Sequence, residues 1–418
     1  MLLGQPTALW LAGALALYMA WAIGANDVAN AMGTSVGSGA LTIRRAVLIA
    51  GVLEFCGAFF VGAHVTGTVS KGILDVSLFD SKPDLLLYGM LASLASAATL
   101  LLGATRIGMP VSTTHAIVGG IVGFGAVALG LDSVNWGKVL QIVASWVTSP
   151  LMGGLLAFLI FHFVNFTVFN RENPTEAAKK IAPLFFFLVT FVIGLVTLFK
   201  GLKPLKLDLD LPHALLYSAL AGAVAAIAGR FVVARIKPAP KSGYGDSFRD
   251  VERVFSILVI MTAASVAFAH GSNDVANAIG PLAAIFSIVR GLSVAATAQV
   301  APWMLVVGGI GIVIGLGTLG YRVIETVGRK ITELTPSRAF TAQFAAAITI
   351  VLASRLGIPV STTHILVGCV LGVGLARGIG ALDLRVVGNI LTSWVATLPI
   401  AAALSIFFFY FFKGLLTP

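Results

Sequence analysis

Long apolar runs separated by short polar stretches recur along the whole chain. Each run has about 20 residues or more, the length that an α-helix needs to cross a hydrocarbon core roughly 30 Å thick. We therefore expect an all-α integral membrane protein. The pattern predicts twelve transmembrane segments, at residues 9–43, 45–69, 85–105, 109–130, 137–166, 183–199, 212–234, 254–289, 293–320, 338–354, 358–376 and 386–412.

Composition supports the membrane interpretation. Of 418 residues, 58% are hydrophobic and 11% are charged, more apolar surface than a soluble chain of this length can bury. The net charge is +10, but the basic residues are scattered through short loops, which is typical of membrane topology and not of a nucleic-acid partner. Cys56 and Cys369 lie inside apolar runs, so we expect two buried thiols without a disulfide. The lipid bilayer is thus the expected surrounding.

The distribution of Lys and Arg predicts an orientation in the cell membrane. Alternating the loops between two sides places nine basic residues on the side of the N-terminus and 18 of the 27 on the other. Because basic loops stay in the cytoplasm, both termini are expected outside. The most polar connections, 170–180 and 235–253, are then cytoplasmic.

Three motifs occur twice in the same order. GANDVANAMG at 24 returns as GSNDVANAIG at 271, RIGMPVSTTHAIVGG at 106 as RLGIPVSTTHILVGC at 355, and WVTSP at 146 as WVATLP at 394. This predicts two homologous five-segment halves, residues 1–168 and 250–418, joined by a linker with two segments of its own at 169–249. Segments 1 and 8 correspond and are seven crossings apart, so the halves are expected to be inverted, as in many secondary transporters.

An aspartate marks the middle of two of the longest apolar runs. Asp27 is the only formal charge between residues 9 and 43, and Asp274 is the only one between 254 and 289. A helix of 35 residues would be ~52 Å long, so we expect a break at the Gly, Asn and Asp positions of each motif. A carboxylate inside the membrane is costly unless it is paired, and here only cations can pair with it. Oxygen ligands suit Na⁺, and a carboxylate can equally carry H⁺. The candidate ion ligands are Asn26, Asp27, Asn30, Asn273, Asp274 and Asn277.

The repeated sequence PVSTTH indicates a helix start. Pro opens a helix, Ser or Thr caps it, and the free N–H groups of the first turn can bind an anion. Two such starts, brought together by an inverted repeat, would form a cradle for a small tetrahedral oxyanion; hydroxyls bonded back to their own turn are the alternative. The histidines that end the motif, His115 and His364, either pack against their helices or contact a proton or the anion. The candidate cradle residues are Ser112, Thr113, Thr114, Ser361, Thr362 and Thr363.

The paired motifs resemble those of the inorganic phosphate transporter (PiT) family of ion-coupled phosphate symporters, in both halves of the chain. The resemblance implies phosphate uptake, coupled to Na⁺ in many members and to H⁺, or to metal-phosphate transport, in others. At the matching positions, Asp27 and Asp274 with their neighbouring asparagines would bind the ion and the substrate. The hydroxyl residues 112–114 and 361–363 would hold phosphate. No cofactor is expected beyond the coupling ion.

Two further polar residues lie inside predicted segments. Glu54 in segment 2 either lines the path or takes a proton, or it forms a structural hydrogen bond. Gln343 stands in segment 10 where the family resemblance leads us to expect an acidic residue, which leaves its role in ion binding open.

These features together predict a transporter and not an enzyme. We expect phosphate and its coupling cations to bind near the membrane midplane, and the two halves to expose the site alternately. The cations would neutralise the aspartates and thereby admit phosphate. The alternatives are a proton-coupled metal-phosphate symporter, a sulfate permease, a membrane phosphatase and a passive anion channel. The coupling ion and a homo-oligomeric state stay open.

Overall fold

The protein is a bundle of helices. The computed structural model describes residues 5–65, 72–201, 210–236, 246–291, 300–355 and 360–417, and every predicted segment coincides there with a helix. The α-helices are α1 Gln5–Gly37, α2 Ile43–Val65, α3 Pro83–Arg106, α4 Thr113–Leu129, α5 Trp136–Val164, α6 Pro174–Gly201, α7 Leu211–Ala234, α8 Asp246–Val289, α9 Pro302–Thr318, α10 Gly320–Glu325, α11 Pro336–Arg355, α12 Thr362–Ala376 and α13 Leu384–Leu416. The all-α membrane fold is confirmed.

The structure does not confirm all twelve predicted spans as helices of full membrane length. Within the described ranges, nine helices are long and apolar enough to cross a membrane, and α9 with the helical stretch Gly320–Lys330, bent by 60°, makes a tenth. The two remaining segments contain α4 and α12, which have only 17 and 15 residues. At 1.5 Å per residue these helices are about 26 and 23 Å long, less than the hydrocarbon thickness. The predicted end of segment 2 and starts of segments 9 and 11 lie outside the described residues.

The predicted helix break inside the aspartate motifs is wrong. The 33-residue α1 runs without interruption through Gly24–Ala31, and the 44-residue α8 runs through Gly271–Ala278. In α1 the Asn26, Asp27 and Asn30 side chains form hydrogen bonds with neighbouring elements, and in α8 the Asn273 side chain bonds to Asp274; the helical backbone continues through both motifs.

The motif glycines let two helices approach closely. A Cβ on Gly24 would lie 1.9 Å from the Ile312 carbonyl oxygen of α9, and a Cβ on Gly271 would lie 2.1 Å from the Glu54 carbonyl oxygen of α2. The partner helices supply glycines of their own at these crossings, Gly315 and Gly57. Small residues at helix interfaces in membranes allow this backbone contact.

The helix packing is symmetric under exchange of the two halves. α1 packs extensively on α9 as α8 does on α2, and α4 packs on α13 as α12 does on α5. Each long motif helix therefore lies against the second helix of the opposite half. This interlocking brings the two copies of each motif to the centre of the bundle, where the largest apolar core also lies.

The two middle helices form a peripheral hairpin. α6 and α7 pack on each other, and α6 also contacts α8 and α11 through a second apolar core that includes Phe185, Phe255 and Phe340. The polar connections on either side are shorter than the sequence indicates, because Pro174 opens α6 and α8 begins at Asp246. Residues 237–245 of the second connection lie outside the described ranges.

Candidate ion and anion site

Two helix starts meet beside α1. α4 begins at Thr113 and α12 at Thr362, and the N-cap hydroxyls of Ser112 and Ser361 accept hydrogen bonds from the backbone N–H groups of His115 and His364 at 3.3 Å each. The predicted capped helix starts are therefore present in both halves. The two serine hydroxyls act here as caps.

One aspartate receives hydroxyl groups from both halves. The Thr113 hydroxyl of α4 donates to Asp27 Oδ2, and the Thr363 hydroxyl of α12 lies 3.5 Å from Asp27 Oδ1. Asn30, one turn further along α1, donates to the Thr363 hydroxyl at 2.9 Å. The two threonines are not equivalent in the repeat, since Thr113 corresponds to Thr362. The site is thus asymmetric although its motifs are repeated.

Asn26 fixes the extended chain that precedes α4. Its amide group donates to the Thr105 hydroxyl at 2.9 Å and to the Met109 carbonyl oxygen at 3.1 Å, and its side-chain oxygen accepts from the Val111 N–H at 3.1 Å. Thr105 lies in the last turn of α3, and Met109 and Val111 lie in the chain between α3 and α4. Asn26 therefore positions the first helix start against α1.

A histidine joins the two motif aspartates. His270 of α8 places Nε2 2.5 Å from Asp274 Oδ2 and 4.0 Å from Asp27 Oδ2, and Nδ1 3.4 Å from Glu54 Oε1. Ligand atoms of Asp27, His270 and Asp274 all lie within 4.8 Å of one another, and all three residues are buried. The two repeated motifs thus meet in one cluster with Glu54.

This cluster has unused hydrogen-bonding capacity. Several of its polar atoms are buried and have no partner in hydrogen-bond geometry among the described residues: both Glu54 oxygens, both His270 ring nitrogens and Asp274 Oδ2. With the three carboxylates ionised, a charge of at least −2 stays in the cluster even when the imidazole is protonated. Unpaired buried charge costs several kcal/mol per ion. The arrangement is therefore suited to cations.

The remaining candidates lie around this cluster at different distances. Asn273 donates to Asp274 Oδ1 at 3.0 Å, and Asn277 is buried one turn further along α8. Gln343 of α11 accepts from the Thr34 hydroxyl at 3.1 Å and donates to the Ala31 carbonyl oxygen, so it packs against α1 beyond Asn30. Thr114 and Thr362 are half-buried on the other sides of their turns. His115 and His364 stack on tryptophans beside the helix starts.

Sequence reasoning missed His270. Its position in the first half is occupied by Ile23, so the repeat itself draws no attention to it. The available signal was its spacing: His270 precedes Asp274 by four residues, which places both side chains on one face of a helix.

A buried polar cluster in the centre of a bundle of apolar membrane helices, with mirrored helix starts, defines a membrane transport protein. The family model described as "Phosphate transporter family" matches residues 23–405. The chain belongs to this family, whose members are transporters and not enzymes.

Known relatives cover nearly the whole chain. A protein of Haemophilus influenzae described as "Putative phosphate permease" is 44% identical over 402 residues, with 96% of each chain covered. A protein of Pyrococcus abyssi with the same description is 47% identical over 400 residues, covering 94% of this chain and 95% of the relative. The chloroplastic inorganic phosphate transporter 2-1 of Arabidopsis thaliana is 44% identical, covering 96% of this chain and 71% of its own. A solved structure described as a sodium-dependent phosphate transporter has a TM-score of 0.88 at 43% identity, covering 98% of this chain and 100% of that one.

Proposed function

We propose that this protein imports inorganic phosphate across the cell membrane together with Na⁺, by alternating access. The observation behind the proposal is that Asp27 and Asp274 meet in one buried cluster, beside helix starts contributed by both halves. The similarity to a sodium-dependent phosphate transporter supports Na⁺ as the coupling ion.

Coupling follows from the electrostatics of this cluster. Bare carboxylates repel a phosphate anion, and in a buried site this repulsion is only weakly screened. Na⁺ bound to Asp27 and Asp274 removes it, with Asn30, Asn273 and Asn277 as neutral oxygen ligands nearby. Phosphate therefore binds with or after the cations, so a Na⁺ gradient drives its uptake.

The helix starts supply the anion site. The N-terminal ends of α4 and α12 carry partial positive charge and unpaired backbone N–H groups. Thr113 and Thr363 offer hydroxyls that are released from Asp27 when a cation takes their place. Ser112 and Ser361 hold the first turns in shape, with Thr114 and Thr362 beside them. The site thus binds a tetrahedral oxyanion without a Lys or Arg.

Proton coupling is the second candidate, and His270 favours it. Imidazole is the side chain whose charge changes nearest physiological pH, and this one contacts Glu54 and Asp274. A protonated phosphate oxygen could also donate to a carboxylate, whereas fully ionised sulfate would meet repulsion.

Uptake of labelled phosphate into proteoliposomes tests both candidates. We expect accumulation above the external concentration under an inward Na⁺ gradient, and none under a pH gradient alone. Accumulation under the pH gradient without Na⁺ would assign the proton instead. Uptake that never exceeds equilibrium under either gradient would indicate a passive channel and contradict the proposal.

The two halves of the repeat are the units that move in this mechanism. We assign residues 1–168 and 250–418 to two inverted halves that rock about the cluster, with 169–249 as a linker. Both termini face outside, as the distribution of basic residues favours. α1 packed on α9 and α8 packed on α2 make the equivalent contacts of such a pair.

A further inference from the structure

Four aromatic rings cross the centre of the molecule between the two halves. His115 of α4 stacks on Trp146 of α5 with ring centroids 3.6 Å apart, and His364 of α12 stacks on Trp394 of α13 at the same distance. The two imidazoles meet edge to face at 4.4 Å. Trp146, His115, His364 and Trp394 therefore form one continuous series of contacts, which we name the four-ring stack.

Polar contacts at its ends also join the halves. Trp394 Nε1 donates to the Pro110 carbonyl oxygen at 3.1 Å, and His364 Nδ1 lies 3.5 Å from the Trp146 carbonyl oxygen. Trp394 thus contacts the PVSTTH motif of the first half, and the backbone of Trp146 contacts the PVSTTH motif of the second half. The stack thus joins the two PVSTTH motifs through their histidine side chains, next to a contact of the Thr363 hydroxyl with the Val111 carbonyl oxygen at 3.4 Å.

The helix starts need such a support. Two helix N-termini carry partial charges of the same sign and repel each other when they are brought together in apolar surroundings. Thr113 lies two residues before His115, and Thr363 directly precedes His364. Both threonine hydroxyls reach Asp27, so the separation of the two histidines also sets the separation of the two hydroxyls.

We propose that His115 and His364 are positioning residues: by stacking, they hold the starts of α4 and α12 at the separation that phosphate binding requires. The inference rests on the proposed function. The ring faces make the close contacts, whereas His115 Nδ1 and Nε2 and His364 Nε2 have no hydrogen-bond partner among the described residues. The four-ring stack is therefore stabilised by contacts between ring faces more than by hydrogen bonds from the ring nitrogens.

The test compares three replacements of His364 in the full-length purified protein. His364→Phe keeps an aromatic ring, His364→Gln keeps a polar group, and His364→Ala keeps neither. Binding of inorganic phosphate in saturating Na⁺ is measured by calorimetry, with thermal unfolding as a check on the fold. We expect Ala and Gln to weaken phosphate binding about tenfold, as loss of an aromatic pair does, and Phe to retain most of the affinity.

His162→Ala is the matched control. Its ring also lies against an aromatic side chain, Phe158 at 4.5 Å, but it is exposed on the outer face of α5. Phosphate binding should not change in this variant. The same three replacements at His115 should repeat the order found at His364.

Two results would overturn the inference. Wild-type phosphate affinity in His364→Ala would mean that the stack does not set the site. Rescue by Gln and not by Phe would mean that the histidine acts through a nitrogen. If Ala fails to fold, the Phe and Gln variants still decide, since both fill the volume. Absence of Na⁺-dependent phosphate binding in the wild type would instead contradict the proposed function itself.

Discussion

Asp27 is the residue on which both halves converge. It accepts from Thr113, lies 3.5 Å from the Thr363 hydroxyl, and faces His270 at 4.0 Å. Asp274 has a different environment, with His270 and Asn273 as its neighbours. The two carboxylates are therefore equivalent in sequence but not in surroundings. We expect Asp27 to be the point where cation and anion binding are coupled most directly.

The threonine hydroxyls give the first prediction. Thr113→Val and Thr363→Val remove the groups on Asp27 at nearly constant volume, and a hydrogen bond to a charged ligand contributes about 1.5–3 kcal/mol. Each variant should bind phosphate at least several-fold more weakly in equilibrium dialysis. Thr362→Val is the control, because this hydroxyl lies half-buried on another side of the turn and should matter less. Equal losses at Thr362 and Thr363 would contradict the asymmetric site.

His270 gives a second prediction at this scale. His270→Ala leaves Asp274 and Glu54 without the imidazole between them, so their mutual repulsion rises when neither is bound to a cation. Na⁺-dependent thermal stabilisation of the purified protein should therefore increase relative to wild type. Ile23→Ala, at the equivalent position of the first half, should leave this Na⁺ effect unchanged. An unaltered Na⁺ effect in His270→Ala would show that the imidazole has no part in the ion site.

At the scale of elements, the long motif helices are continuous, and their glycines fit against helices of the opposite half. The Gly24 crossing on α9 and the Gly271 crossing on α2 fix where Asp27 and Asp274 lie along the bundle. The helix start, and not the motif helix, is the irregular element: the chain from 107 to 112 runs without helix beside Asn26.

Gly24→Ala should lower the stability of the folded protein. The new methyl group would lie 1.9 Å from a backbone oxygen of α9 that cannot rotate away, and overpacking of this kind costs typically 1–3 kcal/mol or more. The apparent melting temperature in detergent should fall by several degrees, and Gly271→Ala should act likewise. Gly13→Ala on the same helix meets nothing within 4 Å and should be neutral. A wild-type melting temperature for Gly24→Ala would refute the close crossing.

Some of the helices and helix starts could be predicted from local sequence signals, whereas contacts between distant parts of the chain could not. Apolar length located a described helix in each of the twelve predicted segments, although it missed α10, and Pro-Val-Ser located both helix starts, because these are local signals. The supposed break at the aspartates failed because Asn26, Asp27 and Asn30 form hydrogen bonds with other elements, and the backbone of α1 continues as a helix through them. Thr363 contacts Asp27 in place of Thr362, the repeat equivalent of Thr113, and His270 lies among three carboxylates. Both features depend on packing between the halves that no local pattern contains.

At the scale of the whole molecule, the two halves interlock around a central polar cluster, and the α6–α7 hairpin lies outside this arrangement. In the proposed alternating access, the equivalent helix pairs, α1 on α9 and α8 on α2, would exchange roles when the site opens to the other side. Orientation in the membrane then decides which opening receives external phosphate.

The orientation can be tested by cysteine labelling after Cys56 and Cys369 are replaced by Ala. Glu172→Cys is exposed in the connection before α6 and should react with an impermeant reagent only in permeabilised cells. Asp132→Cys, exposed between α4 and α5, should react from outside in intact cells. The opposite labelling pattern would reverse the proposed topology.

The central claim is that Asp27 and Asp274 link cation binding to phosphate binding. The most direct measurement is phosphate affinity of purified protein as a function of Na⁺ concentration and pH, for wild type, Asp27→Asn and Asp274→Asn. Asn keeps the size of the side chain and one oxygen ligand but removes the charge. The account predicts that wild-type affinity rises steeply with Na⁺ and that both variants lose most of this dependence while remaining folded. Wild-type Na⁺ dependence in both variants would contradict it.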